Sequence, residues 1–324
     1  MLTDVPSSGK ASDVDRWAAG PGPVVAGLRD ALGGHASHLS GDAAVVFTRV
    51  PRTAVGLVVG VALGLAGTVM QGVTRNPLAD PGILGVNGGA AFGVVLALYA
   101  FGVNGISGYL WFALAGAAAA SVLVYAIGSL GASGATPLKL TLAGAALSAG
   151  LGSLVNAYLI ISQQTFDSFR FWQVGALAGR NWGVIAPVLP ILLAGAALAL
   201  ATGPTLNGLA LGDDAARSLG QRVGWSRAVS ALGVTLLCGG ATALAGPIAF
   251  VGLVVPHAVR AVTGPDYRWI LPGAALAAPS LVLIADVVGR VILPPGEVPA
   301  GIVTALIGGP VFIWLVRRGK KAAL

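Results

Sequence analysis

RVPRTAVGLVVGVALGLAGTVMQGVTRNPLADPGILGVNGGA, residues 49–90, reads as one membrane span, the turn that follows it and the start of a second span. Crossing a bilayer core takes about 20 apolar residues, and Val50 to Met70 supplies them. The QGVTRNPLADP that follows is too rich in Pro, Asn and charge to stay in lipid. It reads as a tight cytoplasmic turn, after which apolar sequence resumes at once. Arg49 and Arg52, in an Arg-x-Pro-Arg pattern, stand at the other end of the first span.

Composition agrees with that reading. A hydrophobic share of 56%, a charged share of 10% and a mean hydropathy of +0.85 lie outside the range of soluble domains. The 49 glycines are too many for a soluble helical protein. In membranes small residues let helix backbones approach closely, and Gly56, Gly60 and Gly64 form one continuous small face, read here as helix packing. The net charge of +7 does not point to nucleic acid, because the basic residues sit in short loops between apolar segments. Cys238 is the one cysteine and lies in an apolar run, so no disulfide framework exists.

About nine spans follow, at 50–70, 82–102, 109–130, 138–162, 184–203, 228–247, 248–263, 269–292 and 298–317. Arg75, Lys139, the trio Arg217, Arg222 and Arg227, the pair Arg260 and Arg268, and the tail Arg317, Arg318, Lys320 and Lys321 fall on alternate loops. The positive-inside rule makes that face cytoplasmic. The opposite loops carry Arg170, Arg180 and Arg290 besides Arg49 and Arg52. Residues 248–263 make roughly 24 Å of helix, short of the ~30 Å core. The Gly246-Pro247 turn before them is therefore expected inside the membrane region, shielded by neighbouring helices.

Residues 1–44 form a polar amino-terminal tail, partly disordered by composition, and residues 45–324 form the membrane domain. His35 and His38 have no further ligand nearby, so no metal site is expected. The chain has no phosphate-binding G-x-x-x-x-G-K-[ST] loop, no nucleophile elbow and no H-E-x-x-H, so neither catalysis nor a cofactor is expected. Among intramembrane ionisable groups Asp286 stands four residues before Arg290, where the two can meet on one helix face. The scarcity of such carboxylates counts against an ion-coupled carrier. A membrane-embedded enzyme is disfavoured because no nucleophile–base or metal cluster appears.

One cytoplasmic segment is more than a turn. Leu206 to Arg227 reads LNGLALGDDAARSLGQRVGWSR, with Asp213 and Asp214 opening a short helix and Gly220 stopping it. A compact helix–turn–helix lying across the cytoplasmic face suits docking of a soluble partner, and an interfacial amphipathic helix would have the same pattern.

Several longer motifs follow in order: RVPR at 49–52, Gln71 with NPLADPGILGVNGGA at 76–90, and LALGDDAARSLG at 209–220. After them come AGPIAFVGLVVPHAVR at 245–260, LPGAALAAPSLVLIADVVGR at 271–290 and EVPAGIVTALIGGPVFIWL at 297–315. Together they resemble the FecCD-type permeases, membrane subunits of type II ABC importers for ferric siderophores, haem and cobalamin. The resemblance implies an all-α polytopic protein of the bacterial cytoplasmic membrane. Its implied partners are a second permease subunit, identical or different, a separate cytoplasmic ATP-binding subunit and an extracytoplasmic substrate-binding lipoprotein. It makes Arg49, Arg52 and Arg290 the docking residues for carboxylates of that binding protein. Leu211, Gly212, Asp213, Asp214, Ala215, Ala216, Leu219 and Gly220 become the coupling surface for the ATPase. Gln71, Asn76 and Pro77 match the hinge, and Ser133, Thr136 and Pro137 the cytoplasmic gate.

The family's usual first helix, ahead of RVPR, is absent, and a truncated or misassigned start is the expectation. FRFWQVGALAGRNW at 169–182 resembles the ferric-siderophore version of the family more than the cobalamin version. Ferric siderophore is the expected cargo, with haem and cobalamin as alternatives.

Overall fold

The computed structural model describes residues 42–103, 105–131 and 135–321, with Val25 and Leu28. The chain divides into two units, residues 1–52 and 53–324. In the first, Val25 and Leu28 are helical and exposed, and residues 42–52 begin helix α1, Asp42–Thr74. The rest of α1 and every later element belong to the second unit. Among the described residues every regular element is helical.

The elements after α1 are a 3-10 turn at Pro81–Leu84, α2 at Val86–Ala100, α3 at Ile106–Ser129 and α4 at Pro137–Ile161. Then come α5 at Gln163–Gln173, α6 at Trp182–Ala201, α7 at Gly203–Ala210 and α8 at Asp213–Ser218. The series closes with α9 at Val223–Ala245, α10 at Val251–Thr263, α11 at Tyr267–Ile292 and α12 at Ala300–Lys321.

Nine spans are more than helix length alone provides. Among the described residues six helices are long and apolar enough to cross a membrane, and the apolar stretches of α2, α10 and α12 are shorter. The reasons are local. The segment 82–102 loses its first residues to the 3-10 turn, which Asp80 caps by accepting from Gly82 N–H at 2.8 Å. Helix α10 starts late because Gly246 and Pro247 keep the chain out of helix, with Gly246 at φ 76°.

Lipid tails are as apolar as Leu, so helices associate in membranes by close packing rather than by escape from water. The small face of α1 serves that purpose within the chain. A Cβ at Gly60 would lie 2.4 Å from Pro279 Cα, and one at Gly64 2.6 Å from Ala278 Cβ, both on α11. Helix α9 is deeply placed at its end, with every residue from Leu237 to Ala245 buried. Helix α4 is the exception: of its 25 residues only Leu140, Gly144 and Val155 are buried.

The break between α9 and α10 is closed by chain rather than by helix faces. Ala176 N–H donates to Ala245 O at 2.7 Å, and Gly301 N–H donates to Gly175 O at 2.9 Å. The loop after α5 thus covers the backbone groups that the break would otherwise leave unmet in a medium without water.

Candidate functional site

The turn after α1, where the sequence leads one to expect a hinge, is tied to α10 by Gln71. Gln71 is buried, and its amide Nε2 donates to the carbonyls of Gly252 and Leu253, each at 3.3 Å. Its Oε1 accepts from Arg260 at 3.4 Å, and Arg260 also donates to the Tyr267 hydroxyl at 3.3 Å. The turn itself follows from its residue types. Asn76 Oδ1 accepts from Leu78 N–H at 3.0 Å, the local bond that suits Asn to turns. Pro77 is exposed, and Arg75 takes a left-handed φ of 53°. Asp80, in the same turn, has its carboxyl pushed up by burial, and the Gly82 N–H opposes that shift.

The coupling segment is three pieces rather than one turn. Helix α7 ends at Ala210, α8 begins after Gly212 at φ 107°, and Gly220 turns the chain at φ 79°. Leu211 and Leu219 are exposed at 69% and 65%, large apolar side chains with no cover in this chain. Asp214 is fully exposed and pairs with Arg217 at 2.8 Å. Ala215 is half-buried, while Ala216 is buried and turned into the protein, away from the exposed face. Asp213 faces inward too, bonded to Arg75 at 3.4 Å and to Arg227 at 2.9 Å.

At the gate, Thr136 caps α4 by accepting from Lys139 N–H at 3.4 Å, and Pro137 opens the helix. Ser133 lies outside the described residues, as do His35 and His38. On α4, Ser153 and Asn156 are exposed, and Asn156 has no hydrogen-bond partner among the described residues. A polar amide on a spanning helix belongs in water or in protein, not against lipid.

The remaining candidates are three arginines. Arg290 Nε lies 3.3 Å from Asp286 Oδ2, and Asp286 is only 3% exposed. Arg49 is exposed and Arg52 half-buried on the part of α1 that belongs to the first unit. A cavity of about 860 Å³ is lined by Tyr109, Arg170, Phe171, Trp172, Arg180 and Glu297, among others. Arg180 is held by the carbonyls of Leu244 and Ala178. Burial pulls its guanidinium below the ordinary arginine value, and the Tyr109 hydroxyl opposes that shift.

The sequence alone does not mark this cavity, because α5 is polar enough to pass for loop. The signal was there: Ser162 caps α5, and Thr165, Phe169 and Trp172 recur at helical spacing as its buried face. It also left Arg227 as one loop cation among several, although a buried Arg in a chain with so few carboxylates calls for a partner.

Among the described residues the chain is all-helical with long apolar spans, and the short helix α8 stands exposed beside the turn that follows Gln71. The model of the FecCD transport family matches residues 26–318, and the chain belongs to that family. It is 49% identical over 284 residues to the ferric enterobactin transport system permease protein FepD of Escherichia coli K12, covering 87% of this chain and 84% of that one. It is 42% identical over 273 residues to the siderophore transport system permease protein YfiZ of Bacillus subtilis 168, covering 84% and 82%. Among solved structures, a metal-chelate type ABC transporter in an inward-facing conformation superposes with a TM-score of 0.77 at 31% identity, covering 92% of this chain and 98% of that one.

Proposed function

We propose that this permease is the translocation subunit of an ATP-driven importer of ferric siderophores, fed by an extracytoplasmic binding protein and driven by a separate ATPase. The observation that carries the reading is the exposed Leu211–Leu219 surface, backed by an ion pair running to the hinge. Exposed apolar side chains on a short helix outside the spans suit insertion into a groove of a soluble partner. Arg49, Arg52 and Arg290 are the proposed grip on binding-protein carboxylates, since Arg pairs with them bidentately. The scarcely buried α4, with its unpartnered Asn156, supports a pathway shared with a second permease subunit. Gln71, Asn76 and Pro77 serve as hinge, with Thr136 and Pro137 at the gate.

For the cargo, the support is twofold. The two relatives above are named for ferric enterobactin and for siderophore transport. The cavity lined by Arg170 and Arg180 combines two guanidinium groups with aromatic rings, a lining that suits an anionic chelate with aromatic arms.

The test is uptake by vesicles holding the permease, its ATPase and its binding protein. Labelled ferric siderophore is expected to accumulate only with ATP, and labelled haem and cobalamin are not. Accumulation of either of those instead would reassign the cargo, and uptake without any ATPase would overturn the energy coupling.

A further inference from the structure

Behind α8 a single carboxylate joins three elements. Asp213 Oδ1 lies 3.4 Å from Arg75 Nη2, in the turn that closes α1, and accepts from Arg227 Nη2 at 2.9 Å, in the first turns of α9. The other arm of Arg227, Nη1, donates to the Ala135 carbonyl at 3.3 Å, one residue before the Thr136 cap of α4. Asp213 therefore holds the end of α1 directly and the start of α4 through Arg227.

The two arginines are not equivalent. The Arg75 side chain is 41% exposed, whereas that of Arg227 is 7% exposed and its Nε has no hydrogen-bond partner. A buried guanidinium without its counterion is strongly disfavoured. When α8 shifts, Arg227 has no water to turn to, so it follows Asp213 and bears on the Ala135 carbonyl. The rigid guanidinium fork holds the carboxylate on one arm and the carbonyl on the other at fixed geometry.

We propose that Asp213 is a positioning residue that transmits displacement of α8 to the cytoplasmic ends of α1 and α4 through Arg75 and Arg227. The proposal rests on residues 211–220 being the ATPase dock.

The test uses the full complex of permease, ATPase and binding protein in vesicles, and reads cargo moved per ATP hydrolysed. Arg227→Lys keeps the charge beside Asp213 but loses the second arm. It is expected to lower that ratio about tenfold, and Arg75→Gln roughly threefold, with ATP hydrolysis and ATPase co-purification retained. Arg75 is exposed enough that its replacement leaves the fold intact, should Arg227→Lys fail to fold. Combining Arg75→Gln with Asp213→Asn is expected to be no worse than Asp213→Asn alone, because both break the same link. An unchanged ratio in both single variants overturns the relay. Hydrolysis and co-purification falling in step with transport overturns it too, and assigns the cluster to the dock itself. Failure of Leu219→Cys to cross-link to the ATPase in the otherwise native complex sinks the docking reading, and is read independently of these variants.

Discussion

At Gly67 the backbone of α1 presses on α10 so closely that a Cβ would lie 1.9 Å from the Gly252 carbonyl oxygen. Backbone cannot swing aside as a side chain can, so Gly67→Ala must push the two helices apart. Overpacking of this kind costs about 1–3 kcal/mol, and a lowered Tm of the purified permease is the expected outcome. Gln71, one turn further along α1, bonds the same carbonyl and its neighbour, so the hinge is fastened where the helices are closest. Arg290 raises a different question, because Asp286 holds it within the chain. Combining Arg290→Glu with Glu→Arg on the binding protein is expected to restore part of the uptake lost to Arg290→Glu alone. Rescue only by a change at Asp286 would make Arg290 a residue of the fold. Asp266 gives a pH signature. Asn207 first, then the Arg268 N–H, hold its carboxyl below the usual carboxylate range. A depressed carboxylate stabilises the fold above its unfolded pKa of about 3.9, and the contribution fades as pH falls through the lower folded value. Asp266→Ala is therefore expected to lower Tm at neutral pH, with the gap narrowing in acid below the ordinary carboxylate range.

At the scale of elements, α8 tests the division between its two faces. Leu211→Glu with Leu219→Glu places charge on the exposed side and leaves the inward Asp213 and Ala216 untouched. Loss of ATPase co-purification is expected, with membrane insertion and Tm unchanged, and retention of the ATPase would move the dock elsewhere. The elements also show what a sequence carries and what it hides. Apolar runs give nine spans, of which six are helices long enough to cross a membrane among the described residues, and the Asx chemistry of Asn76 and the stop at Gly220 announce their turns. Helix α5 escaped notice because it is polar enough to pass for loop, and its helical spacing rests on three residues. The span at 82–102 was read too long because Asp80 and Pro81 favour a 3-10 turn that hydropathy does not register. The joining of Arg75, Asp213 and Arg227 could not be read at all. Nothing local says which of several loop cations a carboxylate meets once the helices have packed.

Across the whole molecule, the loops assigned to the cytoplasm by their positive charge meet one another. Arg75 meets Asp213, Arg227 meets Ala135, and Asn207 meets Asp266. Cys238 is buried and is the chain's one cysteine, so an introduced thiol can be labelled alone. Asp214→Cys is expected to react with an impermeant reagent only from the cytoplasmic side, and Gly179→Cys only from the outside. Labelling of both from one side would break the topology. The bareness of α4 has a bearing on the life of the protein in the cell. A helix with three buried residues and an exposed amide has no settled place in lipid until a companion covers it. If a second permease subunit covers that face, as proposed above, a chain made in excess of it would remain an orphan, open to quality-control proteases that pull helices from the bilayer. Its abundance would then track that of the scarcer subunit, whatever the rate at which its own message is translated.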